Sequence, residues 1–215
     1  MSSLLESAVA EMVAGVRNRE KTAFALPENR FYKAKRKADE LASRRHIKRM
    51  VRPENAAGLF ENLPPPGECT HAILRGDFVL GQALPALLQR TGYCFHLRIS
   101  TLALSVANAE TLSRLIPSPV GKLTLLCSHY FRAVDKTSTF HAVTSLLSDI
   151  ATLKVARCHA KIMLVPTELG SFVFEGSANL RSSDTIEQLT IFNDPELLAF
   201  HASWMDELIS QEAKP

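Results

Sequence analysis

The chain has 215 residues, 46% of them hydrophobic, and a formal net charge of +3. This length and apolar content allow one domain with a sizeable core plus an appendage, and they exclude a wholly disordered chain. No apolar run reaches the ~18 residues of a membrane span, and residues 1–16 lack the basic start of a secretory signal, so we expect a cytoplasmic protein.

Positive charge is concentrated near the N-terminus. Residues 17–52 hold 13 Lys or Arg against 4 Asp or Glu, a pattern typical of a surface that binds a polyanion. We therefore expect residues 1–62 to form a helical, basic arm that binds nucleic acid, DNA preferred, because its thin apolar seam does not suit a membrane surface. A merely solvated helix is the alternative. The candidate nucleic-acid-binding residues are Lys33, Lys35, Arg36, Lys37, Arg44, Arg45, Lys48 and Arg49.

A Pro-rich linker at residues 62–67 cannot continue a helix, and it separates the arm from a second segment, residues 68–215. Strand and helix patterns alternate along this segment. Strands are predicted at 71–74, 94–104, 122–127, 153–165, 171–175 and 185–192, and helices at 82–90, 109–115, 138–147 and 195–210. Such alternation favours an α/β fold in which helices cover a sheet.

The predicted strand at 153–165 carries a row of basic side chains. Because strand side chains alternate between faces, Arg157, His159 and Lys161 share one face and the opposite face is apolar. Three cationic or ionisable groups without a carboxylate repel one another unless an anion lies between them, and a phosphate fits. The alternative is an edge strand with a solvated basic face.

A polar turn follows the predicted strand at 171–175. Gly176 allows the backbone to approach an anion closely, and Ser177 and Asn179 add side-chain donors. The next predicted strand contains Glu187, which needs a partner among apolar neighbours; His159 is a sensible one, because a catalytic imidazole needs an acceptor at its second nitrogen. The alternative is an ordinary turn, since Gly, Ser and Asn are common turn residues.

These residues resemble the phospholipase D superfamily and its HKD motif, H-x-K…D…G-S-x-N. His159 and Lys161 match the His and Lys, residues 176–179 match G-S-x-N, and Glu187 lies where the family has the acidic partner of the histidine. Two features depart from the pattern: Pro166 replaces the motif Asp, and the gap to Gly176 is longer than usual. A single motif copy resembles the small bacterial endonucleases of the superfamily.

The resemblance implies a phospholipase D-like mixed sheet covered by helices, and a hydrolase: a metal-independent phosphodiesterase or nuclease acting as a homodimer. It further implies that His159 forms a phosphohistidine, that Lys161 and Asn179 hold the phosphate oxygens, that Ser177 supports the phosphate, and that Glu187 orients the imidazole. A phospholipase D-like protein that binds nucleic acid without catalysis is the main alternative, favoured by Pro166 and the longer gap. A lipid phosphodiesterase is the third possibility, disfavoured by the single motif and the basic arm.

Two further observations complete the expected site. A loop follows the predicted strand at 122–127, where substrate loops lie in open α/β sheets; a helix-capping loop is the alternative. The substrate-binding candidates are Gly176, Arg157, His129 and Arg132. The four cysteines show no paired metal-ligand spacing, so we expect buried thiols and neither metal nor cofactor: Cys69, Cys94, Cys127 and Cys158.

Overall fold

One mixed sheet organises the part of the chain that the structure, a computed structural model, describes: residues 47–76, 78, 80–134, 138–181 and 185–211. Eight strands belong to it: β1 Ile47–Val51, β2 Cys69–Leu74, β3 Leu97–Thr101, β4 Leu123–Ser128, β5 Ala151–Ala156, β6 Ile162–Thr167, β7 Gly170–Gly176 and β8 Glu187–Asn193. The helices are α1 Ala83–Thr91, α2 Val106–Arg114, α3 His129–Ala133, α4 Thr139–Leu147 and α5 Pro195–Ser210. Short 3₁₀ turns lie at Ala57–Phe60 and Leu80–Gln82.

The strand order is β1-β2-β8-β7-β6-β3-β4-β5. The three strands β3, β4 and β5 are parallel to one another, whereas β6, β7 and β8 pair antiparallel. Since β6 is also antiparallel to β3, the carboxyl ends of β3, β4 and β5 lie at the same edge of the sheet as the start of β6 and the end of β7. This edge positions the candidate site.

The two faces of the sheet carry cores of different size. The larger core buries the inward residues of α1, α2 and α4, among them Leu84, Leu112 and Val143. On the other face, α5 covers the sheet with Met205 packed near Leu164. The start of α5 is set locally, because the Asp194 carboxylate accepts a hydrogen bond from the Leu197 backbone N–H at 2.9 Å, as an N-cap does.

The expected mixed α/β fold is confirmed, with α5 at the predicted residues 195–210. One predicted element is wrong: residues 153–165 do not form a single strand. β5 lies at the edge beside β4, and β6 lies three positions away between β3 and β7. Residues 157–161 must therefore cross about 14 Å of sheet edge, and residues engaged in that crossing cannot pair as a strand.

A second difference concerns residues 47–62, which were expected to belong to the basic arm. β1 pairs parallel with β2, and Leu59 and Phe60 are buried in the larger core, where the Phe60 ring lies 6.1 Å from the Phe174 ring. These residues therefore belong to the sheet domain. Arg49 lies on β1, where its guanidinium donates to the Asn62 carbonyl at 2.9 Å. The other arm candidates up to Arg45 lie outside the described residues, and a separate arm at residues 1–46 stays a prediction.

The cysteine prediction is confirmed for three of the four thiols. Cys69, Cys94 and Cys127 are buried, Cys158 is half-buried, and none of the four is in a disulfide. Burial raises the pKa of the Cys94 and Cys127 thiols to about 12. No helix in the described ranges is both long enough and apolar enough to span a bilayer.

Candidate active site

His159 and Lys161 lie in the crossing between β5 and β6. The His159 side chain is exposed and Lys161 is half-buried. The Lys161 ammonium lies 3.3 Å from Nδ1 of His159 and donates a hydrogen bond to the His159 carbonyl at 3.1 Å. Lys161 and His159 are therefore brought together by a local loop. They do not lie on one face of a strand, as their two-residue spacing had suggested.

The register of β6 and β7 brings the Gly-Ser-x-Asn turn beside this loop. Ile162 pairs with Glu175, so Lys161, which precedes β6, lies next to Gly176, which ends β7. Both residues line a small cavity of about 10 Å³. The two halves of the motif, separated by a hairpin in the sequence, therefore meet at one edge of the sheet.

Gly176 has a packing reason to be glycine. A Cβ at this position would lie 2.2 Å from the backbone oxygen of Gln188 on β8, which is too close for any side chain. The Ser177 backbone N–H donates to the same oxygen at 3.0 Å. That N–H was expected to be open to an anion; it is used by the sheet instead, and a substrate-binding role for Gly176 stays a prediction.

Ser177 and Glu187 form one hydrogen-bonded unit. The Ser177 hydroxyl donates to the Glu187 carboxylate and accepts from the Gln188 backbone N–H at 3.0 Å. The Thr185 hydroxyl donates to the other carboxylate oxygen at 3.2 Å. Glu187 is thus held against the Ser177 turn, and the expected hydrogen bond from the His159 imidazole to the Glu187 carboxylate stays a prediction.

The end of β3 holds both halves of the motif, which the sequence reasoning missed. The Ser100 hydroxyl donates to the Ala160 carbonyl at 3.0 Å, inside the His159 loop. The next residues reach the other half: Leu102 N–H donates to Oδ1 of Asn179 at 3.2 Å. Two consecutive hydroxyl residues at the end of β3, Ser100 and Thr101, are the signal in the sequence that could have revealed this role, since buried hydroxyls need partners.

An open groove of about 660 Å³ lies beside His159. Two of the substrate-binding candidates, His129 and Arg157, line it together with His159. Arg132 is exposed on the same short helix, α3, but is not among the lining residues. The loop expected after β4 is in fact the start of α3, and Ser128 caps it by accepting from the Tyr130 N–H at 3.2 Å.

Pro166, which replaces the motif Asp, lies far from this groove along β6. It pairs with Ser171 near the β6–β7 turn, about 16 Å along the strand from Lys161. Its carbonyl accepts from the Phe95 N–H at 3.1 Å, so the departure from the motif is at the end of β6 remote from His159. Within the described residues, no group of three or more His, Cys, Asp or Glu has metal-site geometry.

Comparison with solved structures decides the fold. No protein-family model and no curated protein matches the chain. Nuc from Salmonella typhimurium, a phospholipase D family member, superposes with a TM-score of 0.50 at 14% identity, covering 66% of this chain and 94% of that one. The chain has a phospholipase D-like fold.

Weaker likenesses accompany this match. NucT from Helicobacter pylori has a TM-score of 0.46 at 15% identity, covering 66% of this chain and 96% of that one. A variant of yeast tyrosyl-DNA phosphodiesterase has a TM-score of 0.34 at 13% identity, covering 56% of this chain and 28% of that one. The phospholipase D-like fold expected from the motif residues is therefore confirmed by the match to Nuc.

Proposed function

We propose that the chain is a metal-independent phosphodiesterase, a nuclease that cleaves DNA or RNA in a homodimeric site. The observation that carries the proposal is the contact between Lys161 and His159 beside a groove, with Asn179 tied to the same strand end. A nucleophilic imidazole, a cation and an amide donor are what phosphoryl transfer without a metal requires. The fold shared with Nuc supports this assignment.

His159 supplies the nucleophile in this mechanism. Its Nδ1 faces Lys161, so Nε2 is the nitrogen that attacks phosphorus. For Nε2 to carry a free lone pair, Nδ1 must hold the ring proton, and Lys161 must then turn from Nδ1 toward the phosphate. Binding of the anion provides the reason for that turn, because the ammonium gains a charge-assisted hydrogen bond.

The reaction proceeds in two displacements. Nε2 of His159 forms a bond to phosphorus as the bond to the leaving oxygen breaks, and His159 of the partner subunit gives that oxygen a proton. The partner imidazole then takes a proton from water, whose oxygen bonds to phosphorus as the P–N bond breaks. One motif per chain requires two chains for this sequence, and a two-fold dimer is the simplest solution.

The other motif residues stabilise the charge on phosphorus. Because Oδ1 of Asn179 accepts from Leu102, its Nδ2 group is the donor for a non-bridging oxygen, alongside the Lys161 ammonium. Ser177 supports the phosphate from the turn. Glu187, anchored by Ser177 and Thr185, orients the His159 imidazole once the substrate has drawn Lys161 away.

A catalytically inactive protein that binds nucleic acid is the second candidate, because Pro166 replaces the motif Asp. The position of Pro166 at the remote end of β6 weighs against it. The excess of positive charge at residues 17–52 fits both functions, since phosphate contacts serve binding and cleavage alike.

The deciding experiment is incubation with labelled single- and double-stranded DNA and RNA in excess EDTA. We expect cleavage of at least one of these substrates, because no step needs a metal. Purified His159→Ala protein is the control for contaminating nuclease. Activity that disappears with chelator and returns with magnesium would refute the mechanism, and a monomer that still cleaves at micromolar concentration would refute the shared site.

A further inference from the structure

The groove beside His159 continues into a second groove that the motif does not explain. The second groove has a volume of about 410 Å³. Leu102 and Tyr130 line both grooves, so the two meet at these side chains. Arg181, which follows the Gly-Ser-x-Asn turn, also lines the second groove. A continuous surface therefore leads from His159 past Tyr130 to Arg181.

Tyr130 presents an exposed aromatic ring on an anchored backbone at the junction. Its side chain is 60% exposed. Its backbone is anchored on both sides: Ser128 caps its N–H, and the next residue, Phe131, is 8% exposed and packs edge-on against Phe140 with ring centroids 5.4 Å apart. An exposed ring on an anchored backbone offers a flat apolar face at little cost in entropy.

Among the described residues that line the two grooves, the charged side chains have one sign. Arg157 lines the first groove and Arg181 the second. No Asp or Glu is among the described residues that line either groove. Apolar side chains also line the surface, with Leu102, Leu104 and Val106 on the second groove. Cation, aromatic ring and cation therefore follow one another along the surface.

A single strand of nucleic acid has the matching order of groups, with an anionic phosphate on either side of each flat base. Bases of a single strand stack on protein aromatics, whereas those of a duplex are already stacked and paired. We infer that Tyr130 is a stacking platform for the base next to the scissile phosphate, and that Arg181 binds a neighbouring phosphate. The substrate of the groove is thus single-stranded, an inference that rests on the proposed function for the position of the scissile phosphate.

The test compares Tyr130→Ala with Tyr130→Phe, which keeps the ring. A labelled single-stranded oligonucleotide, the matching duplex and an abasic single strand of the same length serve as probes, with binding followed by anisotropy and cleavage by KM and kcat. For the base-bearing strand we expect Tyr130→Ala to weaken binding about 10- to 100-fold and to raise KM similarly, with Tyr130→Phe close to wild type. The loss should be confined to that strand.

Two controls separate stacking from general damage. Phe200→Ala removes an aromatic side chain that is 64% exposed on α5 and does not line either groove, so it should leave oligonucleotide affinity unchanged. Arg181→Gln should weaken the base-bearing and abasic strands equally and reduce the salt dependence of binding by about one phosphate contact.

Each outcome decides the inference. Equal losses on all three probes with Tyr130→Ala, or no loss, would overturn it while leaving the nuclease proposal intact. Binding that depends on Tyr130 in a protein that cleaves nothing would support the platform and refute the nuclease. Failure to bind any oligonucleotide refutes both. Tyr130-dependent binding to vesicles of phosphatidylglycerol, without oligonucleotide binding, would assign the groove to lipid and overturn the inference.

Discussion

His201 and His159 differ in what surrounds their imidazole rings. His201 on α5 is buried, with Nε2 2.6 Å from a Glu175 carboxylate oxygen and Nδ1 accepting from the Trp204 indole N–H at 2.9 Å. Both of its nitrogens are therefore engaged, and the ring is held as the tautomer with the proton on Nε2. His159 is exposed beside a groove and contacts a lysine.

The difference shows that a histidine–carboxylate pair does not by itself mark a catalytic histidine. His201 has the pairing that sequence reasoning expected of His159, but its side chain is buried and lacks a free lone pair. Its hydrogen bond to Glu175 instead joins α5 to β7. A nucleophile needs an open nitrogen and an adjacent anion site, and the proposed mechanism assigns both to His159 beside Lys161.

We expect the largest effects when the two imidazoles are removed in turn. His159→Ala should lower kcat by at least about a thousandfold, because it removes the nucleophile, and should leave Tm almost unchanged, because the ring is exposed. His201→Ala should keep kcat within severalfold but lower the free energy of unfolding by about 1–3 kcal/mol, since it removes the partner of the half-buried Glu175 carboxylate and Trp204 indole N–H. Nuclease assays and thermal unfolding of both variants provide the measurement. Large losses of activity with His201→Ala at unchanged stability would reverse the assignment.

Gly176 lies between the Glu175–His201 pair and the candidate site, since it follows Glu175 and precedes Ser177. Gly176→Ala places a Cβ 2.2 Å from the Gln188 oxygen, so we expect a loss of about 1–3 kcal/mol in the free energy of unfolding together with reduced kcat as the turn shifts. Gly58→Ala is the matched control, because its Cβ would meet its nearest neighbour at an ordinary 3.4 Å. Similar denaturant midpoints for the two variants would contradict the close approach of β8.

The basic residues near the N-terminus should contribute to nucleic-acid affinity independently of both histidines. Replacing Lys35, Arg36 and Lys37 with Ala should weaken nucleic-acid binding and reduce the slope of log affinity against log salt by up to about 3, without changing sequence preference. Titrations at several salt concentrations measure this slope, and Tm should not change. If affinity and slope do not change, nucleic-acid binding must depend on Arg157, Arg181 and the site itself.

The smallest effect concerns a third histidine, His96. Burial lowers the pKa of His96 from its ordinary 6.5 to about 4, and the positive charges of Arg98 and Lys122 add to this effect. The Asp206 carboxylate acts in the opposite direction and raises the pKa. Between these pH values the unfolded chain binds a proton that the folded chain does not, so the free energy of unfolding falls as pH falls. The Arg98 guanidinium also holds the pKa of Asp206 below its ordinary value, which adds acid sensitivity at lower pH.

His96→Gln should therefore make Tm less dependent on pH between 6.5 and 4, and an amide can keep a hydrogen bond to Thr124. His141→Gln, at an exposed histidine, is the control. Thermal unfolding across this range measures both, and parallel curves for wild type and His96→Gln would show that His96 does not contribute to the acid sensitivity.

The expectations from sequence succeeded where the information is local. Helix α5 occupies the predicted residues 195–210 and begins at the Asp194 N-cap, because caps and periodicity act within a few residues. The order of His159, Lys161, the Gly-Ser-x-Asn turn and Glu187 pointed to the phospholipase D-like fold that the match to Nuc confirms. The alternating strands and helices predicted the covered sheet in the same way.

The relative positions of these strands and motif residues depend on the tertiary structure. Residues 153–165 are uniformly suited to a strand, and only the position of β5 three strands away from β6 forces the chain to cross at His159. Likewise, only the pairing of β7 with β8 makes Gly176 necessary. That Glu175 pairs with His201, and that Ser100 and Leu102 hold both motif loops, depends on contacts between residues far apart in the chain. Local sequence patterns do not encode such contacts, because they arise from the order of the strands.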